Sequence, residues 1–139
     1  MAGPVVLDTG PMVALLDRGD SWHRWASEQL KLFTDPMLTC EAVVSECAFI
    51  LGPRDPGFRR LTGLLGDGAV RLGFDLDDHF EAVARLLAKY QDVPMSLADA
   101  CLVRMSELHD GARVFTLDAH FKLYRRHGRQ TIPLIHPGA

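Results

Sequence analysis

The stretch Pro4-Val5-Val6-Leu7-Asp8-Thr9-Gly10-Pro11 decides how the rest of the chain is read. Its first four residues are a short, branched apolar run of the kind that forms a strand buried on both faces. Asp8 ends the run, and Gly10-Pro11 opens a helical stretch from Met12 to Asp17. A buried strand that delivers an acid at its end and passes directly into a helix begins a parallel α/β unit.

The same alternation continues outward. Asp20 and Ser21 are N-cap candidates for a helix reaching Phe33, with Trp22, Trp25, Ala26, Gln29, Leu30 and Phe33 at helical spacing. After Asp35-Pro36, Met37 to Thr39 reads as a strand and Glu41 to Leu51 as a helix stopped by Gly52-Pro53. Phe58 to Leu65 is a further helix, Ala69 to Leu72 a strand, and Asp75 or Asp77 caps a helix from Asp78 to Tyr90 whose apolar face is Phe80, Val83, Ala84, Leu87 and Tyr90. Ser96 caps a helix to about His109, Arg113 to Phe115 is a strand, Asp118 opens a short helix to Arg126, and Thr131 to Ile135 is the last strand. Five short apolar strands separated by helices imply a parallel sheet covered on both faces.

With 139 residues, 47% hydrophobic and 24% charged, the chain fits one globular domain, residues 1–139, and excludes disordered or fibrous classes. Cys40, Cys47 and Cys101 are odd in number and form no C-x-x-C pair, so they read as small core residues in a reducing compartment. The N-terminal residues have no basic segment before a short apolar run, and no run approaches the ~20 residues of a membrane span. The expectation is a soluble cytoplasmic protein. The net charge of −3 argues against a uniformly cationic nucleic-acid coat.

Most acids fall in turns, caps or polar faces, Asp55 and Asp92 among them. Four do not. Asp8 and Asp118 follow strands, at the rim of an open α/β sheet where ligands bind, although each also suits a turn or a cap. Glu46 has Ala42, Val43, Phe49 and Ile50 as its helical neighbours, so it is expected on the buried face. Asp99 repeats this among Met95, Leu102 and Val103, with a capping box to Ser96 as the ordinary alternative. Carboxylates gathered at one rim repel one another unless a cation neutralises them, and an all-oxygen site selects Mg²⁺ or Mn²⁺. Zinc is disfavoured, because the six histidines show no ligand spacing. Carboxylate-held Mg²⁺ commonly serves phosphoryl transfer.

The segments Val5 to Pro11, Glu41 to Glu46, Pro94 to Ala100 and Val114 to Phe121 together resemble the four signature blocks of PIN domains, in order and over nearly the whole chain. The likeness is closest to the small bacterial VapC-type toxins. It implies a three-layer α/β/α, Rossmann-like domain with strand order 3-2-1-4-5 and a metal-dependent ribonuclease activity. The family's acidic quartet falls on Asp8, Glu46, Asp99 and Asp118, with Asp8 and Asp99 as principal Mg²⁺ ligands and the other two completing the site. Its Ser/Thr partner falls on Thr116. The resemblance further implies a homodimer and a small antitoxin whose tail enters the acidic site.

Lys122, Arg125, Arg126 and Arg129 form a basic run after Asp118 that suits an RNA backbone, or simply the C-terminus of a helix. Trp22, Trp25 and Leu30 suit core packing or an interface groove. An Asp-nucleophile phosphatase would need a second Asp where Gly10 stands, and a phospho-receiver would need an acidic pair and a late Lys that are missing. A non-catalytic module binding RNA or protein is the remaining alternative. Removing the four site acids from the 18 leaves 14 against 15 cationic residues, so the acidity is concentrated in the site.

Overall fold

The computed structural model describes residues 3–54 and 56–138, so Met1, Ala2, Asp55 and Ala139 lie outside the described residues. The elements in chain order are β1 (Val5–Leu7), α1 (Thr9–Leu16), α2 (His23–Leu30), β2 (Met37–Thr39), α3 (Glu41–Leu51), α4 (Pro56–Gly66), β3 (Val70–Leu72), α5 (Leu76–Lys89), α6 (Leu97–Leu108) and β4 (Arg113–Phe115). A 3₁₀ turn (Ala119–Lys122), β5 (Arg125–Arg126), β6 (Gln130–Thr131) and β7 (Leu134–Ile135) complete the chain.

Strands β3-β2-β1-β4-β7 form one parallel sheet, which is the order 3-2-1-4-5 when its own strands are counted. Helices flank the sheet, and the all-buried β1 is its centre. This explains why β1 is uniformly apolar: neither face meets water. All three cysteines are buried and free, as a core reading requires. Trp25 and Phe33 pack edge-on against Phe115, at centroid distances of 5.6 and 5.7 Å, so the Trp25 half of α2 is core.

Several sequence expectations are corrected. The stretch from Asp118 to Arg126 is not one helix: the 3₁₀ turn ends at Lys122, and β5 and β6 then form a separate antiparallel hairpin. His127 and Gly128 turn it with φ of 50° and 82°, values that a helix cannot contain and that favour glycine. Thr131 to Ile135 is likewise divided, because β6 pairs with β5 and β7 with β4. Helix α2 starts only at His23, since the Asp20 carboxylate accepts from the Trp22 N–H in a turn ahead of it, and it stops at Leu30. Helix α1 begins earlier than expected, at Thr9, with Asp8 as its N-cap. On α5, Phe80 is exposed rather than inward, and the buried side is Val83 with Leu86 and Leu87 beside it.

Candidate active site

Register assembles the site. Leu7 lies beside Phe115, so Asp8 and Thr116 leave adjacent parallel strands together, and the Asp8 N–H closes the ladder on the Phe115 carbonyl at 3.0 Å. The Thr116 hydroxyl, fully buried, donates to Asp8 Oδ2 at 2.7 Å and accepts from the Asp118 N–H at 2.9 Å. One side chain thus ties two of the rim acids to each other. Asp8 Oδ1 accepts from the Thr9 N–H at 2.7 Å, so Asp8 takes the capping role at the start of α1 while it lies at the rim.

Asp99 also serves twice. The capping box with Ser96 is present, with the Ser96 N–H donating to Asp99 Oδ2 at 3.1 Å and the Asp99 N–H donating to Ser96 Oγ at 3.0 Å. The same Oδ2 accepts from the Tyr124 hydroxyl at 3.3 Å. Asp118 caps the 3₁₀ turn, and its Oδ1 accepts from the His120 N–H and meets His120 Nδ1, each at 2.9 Å. Helix N-termini therefore converge on the rim, and their positive ends offset part of the repulsion among the acids.

Glu46 reaches the site by a route other than the one expected. The carboxylate is exposed, and so are its apolar neighbours Phe49 (88%) and Ile50 (60%), so this face of α3 is not a core face. The buried side of α3 is Val43, Cys47 and Leu51. Glu46 is held by the Thr9 hydroxyl, which donates to Oε1 at 2.7 Å.

Asp8, Thr9, Gly10, Glu46, Ser96, Asp99, Leu117 and Asp118 line one cleft of about 430 Å³. Burial pushes the Asp8 carboxyl up to about 6, against the lowering by its Thr116 and Thr9 bonds, and the Asp99 and Asp118 charges add to the rise. Asp99 is raised for the same first reason, burial, with the Asp118 charge adding. Burial and then the Asp99 charge push the Tyr124 phenol above its ordinary value, so it stays a donor. The donor set is carboxylate and hydroxyl oxygen, which fits a hard divalent cation. Among the described residues no three His, Cys, Asp or Glu groups stand close enough to form a metal-holding cluster, so these carboxylates would have to close around an ion.

The basic run divides. Lys122 and Arg129 are exposed. Arg125 is turned back, its guanidinium donating to the Lys122, Leu123 and Tyr124 carbonyls, which is the helix-end role. Arg126 is buried, and its position inside the protein removes it from a solvent-facing backbone track. Asp92 is exposed in the turn after α5. Sequence reasoning missed Thr9 and Tyr124, the two hydroxyls that hold Glu46 and Asp99. Tyr124 was hidden because its segment read as a helix; the His127-Gly128 turn signal beside it was the available clue.

A family model described as PIN domain matches residues 5–126. Ribonuclease VapC26 of Mycobacterium tuberculosis is 29% identical over 125 residues, covering 87% of this chain and 92% of that protein. In fold, the chain is similar to the crystal structure of M. tuberculosis VapC20, described as a sarcin-ricin loop cleaving toxin, with a TM-score of 0.72 and 19% identity over 82% of this chain and 89% of that one. No helix among the described residues is long and apolar enough to cross a membrane.

Proposed function

This chain belongs to the PIN domain family, and from that premise we propose that it is a single-domain, cytoplasmic, metal-dependent endoribonuclease acting as the toxin of a toxin-antitoxin pair. The observation that carries the reading is the cleft itself: Asp8, Glu46, Asp99 and Asp118 share one concavity at the C-terminal rim of the sheet, and the most buried of them, Asp8, is ionised there only at a cost. A ribonuclease among its relatives supports the same activity.

Asp8 and Asp99 would hold Mg²⁺ or Mn²⁺, with Glu46 and Asp118 completing the donor set. Such a cation supplies Lewis acidity for phosphodiester hydrolysis when bound. Thr116 fixes the rotamer of Asp8 and the backbone of Asp118, while Ser96 and Tyr124 fix Asp99. Thr9 restrains Glu46. Lys122 and Arg129 are the exposed cations of the 122–129 segment that remain to contact an RNA backbone. The exposed Phe49 and Ile50 on α3 support a protein partner, the antitoxin or a second copy in a homodimer.

The test is incubation of purified protein with structured and single-stranded RNA in Mn²⁺ or EDTA, alongside Asp99→Asn. Metal-dependent cleavage lost in the variant is expected; RNA binding without cleavage would instead make this a binding module. Expression is expected to arrest growth, with relief by a small protein encoded beside it.

A further inference from the structure

A second cleft adjoins the acidic one along the same rim. It encloses about 660 Å³ and is lined by Phe74, Leu76, Leu97 and Ala42 together with the carboxylates Glu41, Asp75 and Asp77. Its position follows from chain neighbours: Ser45 and Leu97 line this cleft, while Glu46 and Ser96 line the acidic one. Side chains one residue apart on α3, and at the start of α6, divide the two spaces. An RNA strand with its scissile phosphate on the acids would have an adjacent nucleotide beside the second cleft.

Phe74 is held as a wall. Its ring stacks on the His79 imidazole, with centroids 5.3 Å apart and planes at 21°. Arg104 backs His79, Nε lying 3.4 Å from Nδ1, and is itself anchored on Glu107 at 3.2 Å. A braced aromatic ring in a partly apolar cleft is what an unstacked base needs, and base stacking on such a ring does not depend on a phosphate contact. The lining holds no Lys, Arg or His, so it does not attract phosphate. Its charged groups are carboxylates, which only accept hydrogen bonds. Among the described residues, the Glu41 carboxylate has no hydrogen-bond partner or ion pair. Guanine presents two donors side by side on its Watson–Crick edge, N1–H and the exocyclic amino group, matching the two oxygens of one carboxylate; the other bases present fewer.

We propose that this cleft selects the RNA cut by this chain by taking the unpaired guanine next to the scissile phosphate, with Phe74 stacking on the base and Glu41 accepting from its donor edge. This rests on the ribonuclease reading above. The class of substrate is then single-stranded or looped RNA with an accessible guanine.

The experiment has two readouts. Cleavage positions are mapped with Mn²⁺ on short single-stranded RNAs in which guanine is replaced by inosine or adenine, for the unmodified protein, Phe74→Leu and Glu41→Gln. The same RNAs are titrated by fluorescence anisotropy into Asp99→Asn, with and without Phe74→Leu. Cutting beside guanine, weakened by inosine, is expected, with preference falling about tenfold in Phe74→Leu and flattened between guanine and adenine in Glu41→Gln. Unchanged cleavage and binding patterns in the variants, or no guanine preference at all, overturn the cleft assignment while leaving the ribonuclease reading intact wherever cleavage occurs. No cleavage, but a guanine preference in binding that Phe74→Leu abolishes, upholds the cleft and overturns the ribonuclease reading. Variants that bind RNA as before but lose affinity for an arginine-containing peptide assign the cleft to a protein partner and overturn the proposal.

Discussion

The two sides of the acidic cleft are built differently. On the strand side, Asp8 and Asp118 are locked by sheet register and share the buried Thr116 hydroxyl, and both oxygens of Asp8 are bonded. On the helix side, Glu46 is exposed on α3 and restrained by one hydroxyl. Charge is thus held under desolvation at Asp8, where the sheet prevents the carboxylate from relaxing into water, and at Asp99 in the first turn of α6, while Glu46 stays in the open. The exposed side keeps a long side chain that would be able to adjust if a cation bound. Rigidity and adaptability are divided between the two walls of one site.

The largest effect should follow from the strand side. Asp8→Asn is expected to reduce metal-dependent RNA cleavage by more than the ~100-fold that loss of a supporting partner costs. It should also stabilise the metal-free protein. The folded Asp8 carboxyl titrates at about 6, above the ~3.9 of an unfolded chain, so between those values the fold binds more protons than the unfolded state. The contribution of this group is fully present below pH ~4 and is lost as the pH rises through about 6, a difference of the order of 2–3 kcal/mol by pH 7.5. Thermal melts without metal should therefore place Asp8→Asn above the unmodified protein at pH 7.5, and the gap should close at pH 4. Mn²⁺ should raise the melting temperature of the unmodified protein at pH 7.5 and fail to do so in the variant. A variant less stable at pH 7.5 would show that Asp8 is not held at a cost.

Intermediate effects belong to the hydroxyls that support the buried acids. Thr116→Val keeps the branched shape but removes the donor to Asp8 and the acceptor for the Asp118 N–H. Cleavage is expected to fall ~10–100-fold, with metal affinity measured by titration falling alongside it. Tyr124→Phe removes a single 3.3 Å bond to Asp99, whose Ser96 bonds remain, so its effect should lie near the lower end, ~10-fold. Equal losses in the two variants would mean that Asp99 tolerates the loss of its support no better than the strand side does.

Much of this was legible beforehand, and unevenly. The placement of Asp8 and Asp118 follows from short apolar strands that end in acids, because strand polarity in a parallel sheet puts every such end on one rim. Asp99 could be read two ways; the capping box is present, and by holding the carboxylate at the first turn it also leaves it in the cleft. Glu46 shows where periodicity fails. Phe49 and Ile50 suggested a buried face, yet both are exposed, because apolar residues are common on protein surfaces and their spacing does not by itself say which side of a helix packs. Tyr124 was obscured by a basic, helix-compatible segment whose hairpin depends on a turn at His127 and Gly128 rather than on any apolar pattern.

The smallest effect should come from the helix side. Thr9→Val removes the only hydrogen bond recorded for the Glu46 carboxylate among the described residues and leaves both bonds to Asp8 intact, because the bond to Asp8 Oδ1 comes from the Thr9 backbone. Releasing an exposed side chain restores rotamer freedom worth ~1.5–2 kcal/mol at most, and part of that freedom is lost again when a cation draws the carboxylate in. Cleavage at low Mn²⁺ should fall a few-fold, up to ~10-fold, and recover at saturating Mn²⁺, whereas raising Mn²⁺ should not rescue Asp8→Asn. Recovery would mean that Thr9 positions Glu46 for metal capture without contributing to the reaction itself. A loss that persists at saturation, or one as large as that of Thr116→Val, would show that both walls of the cleft must be rigid and that the exposure of Glu46 hides a tighter constraint.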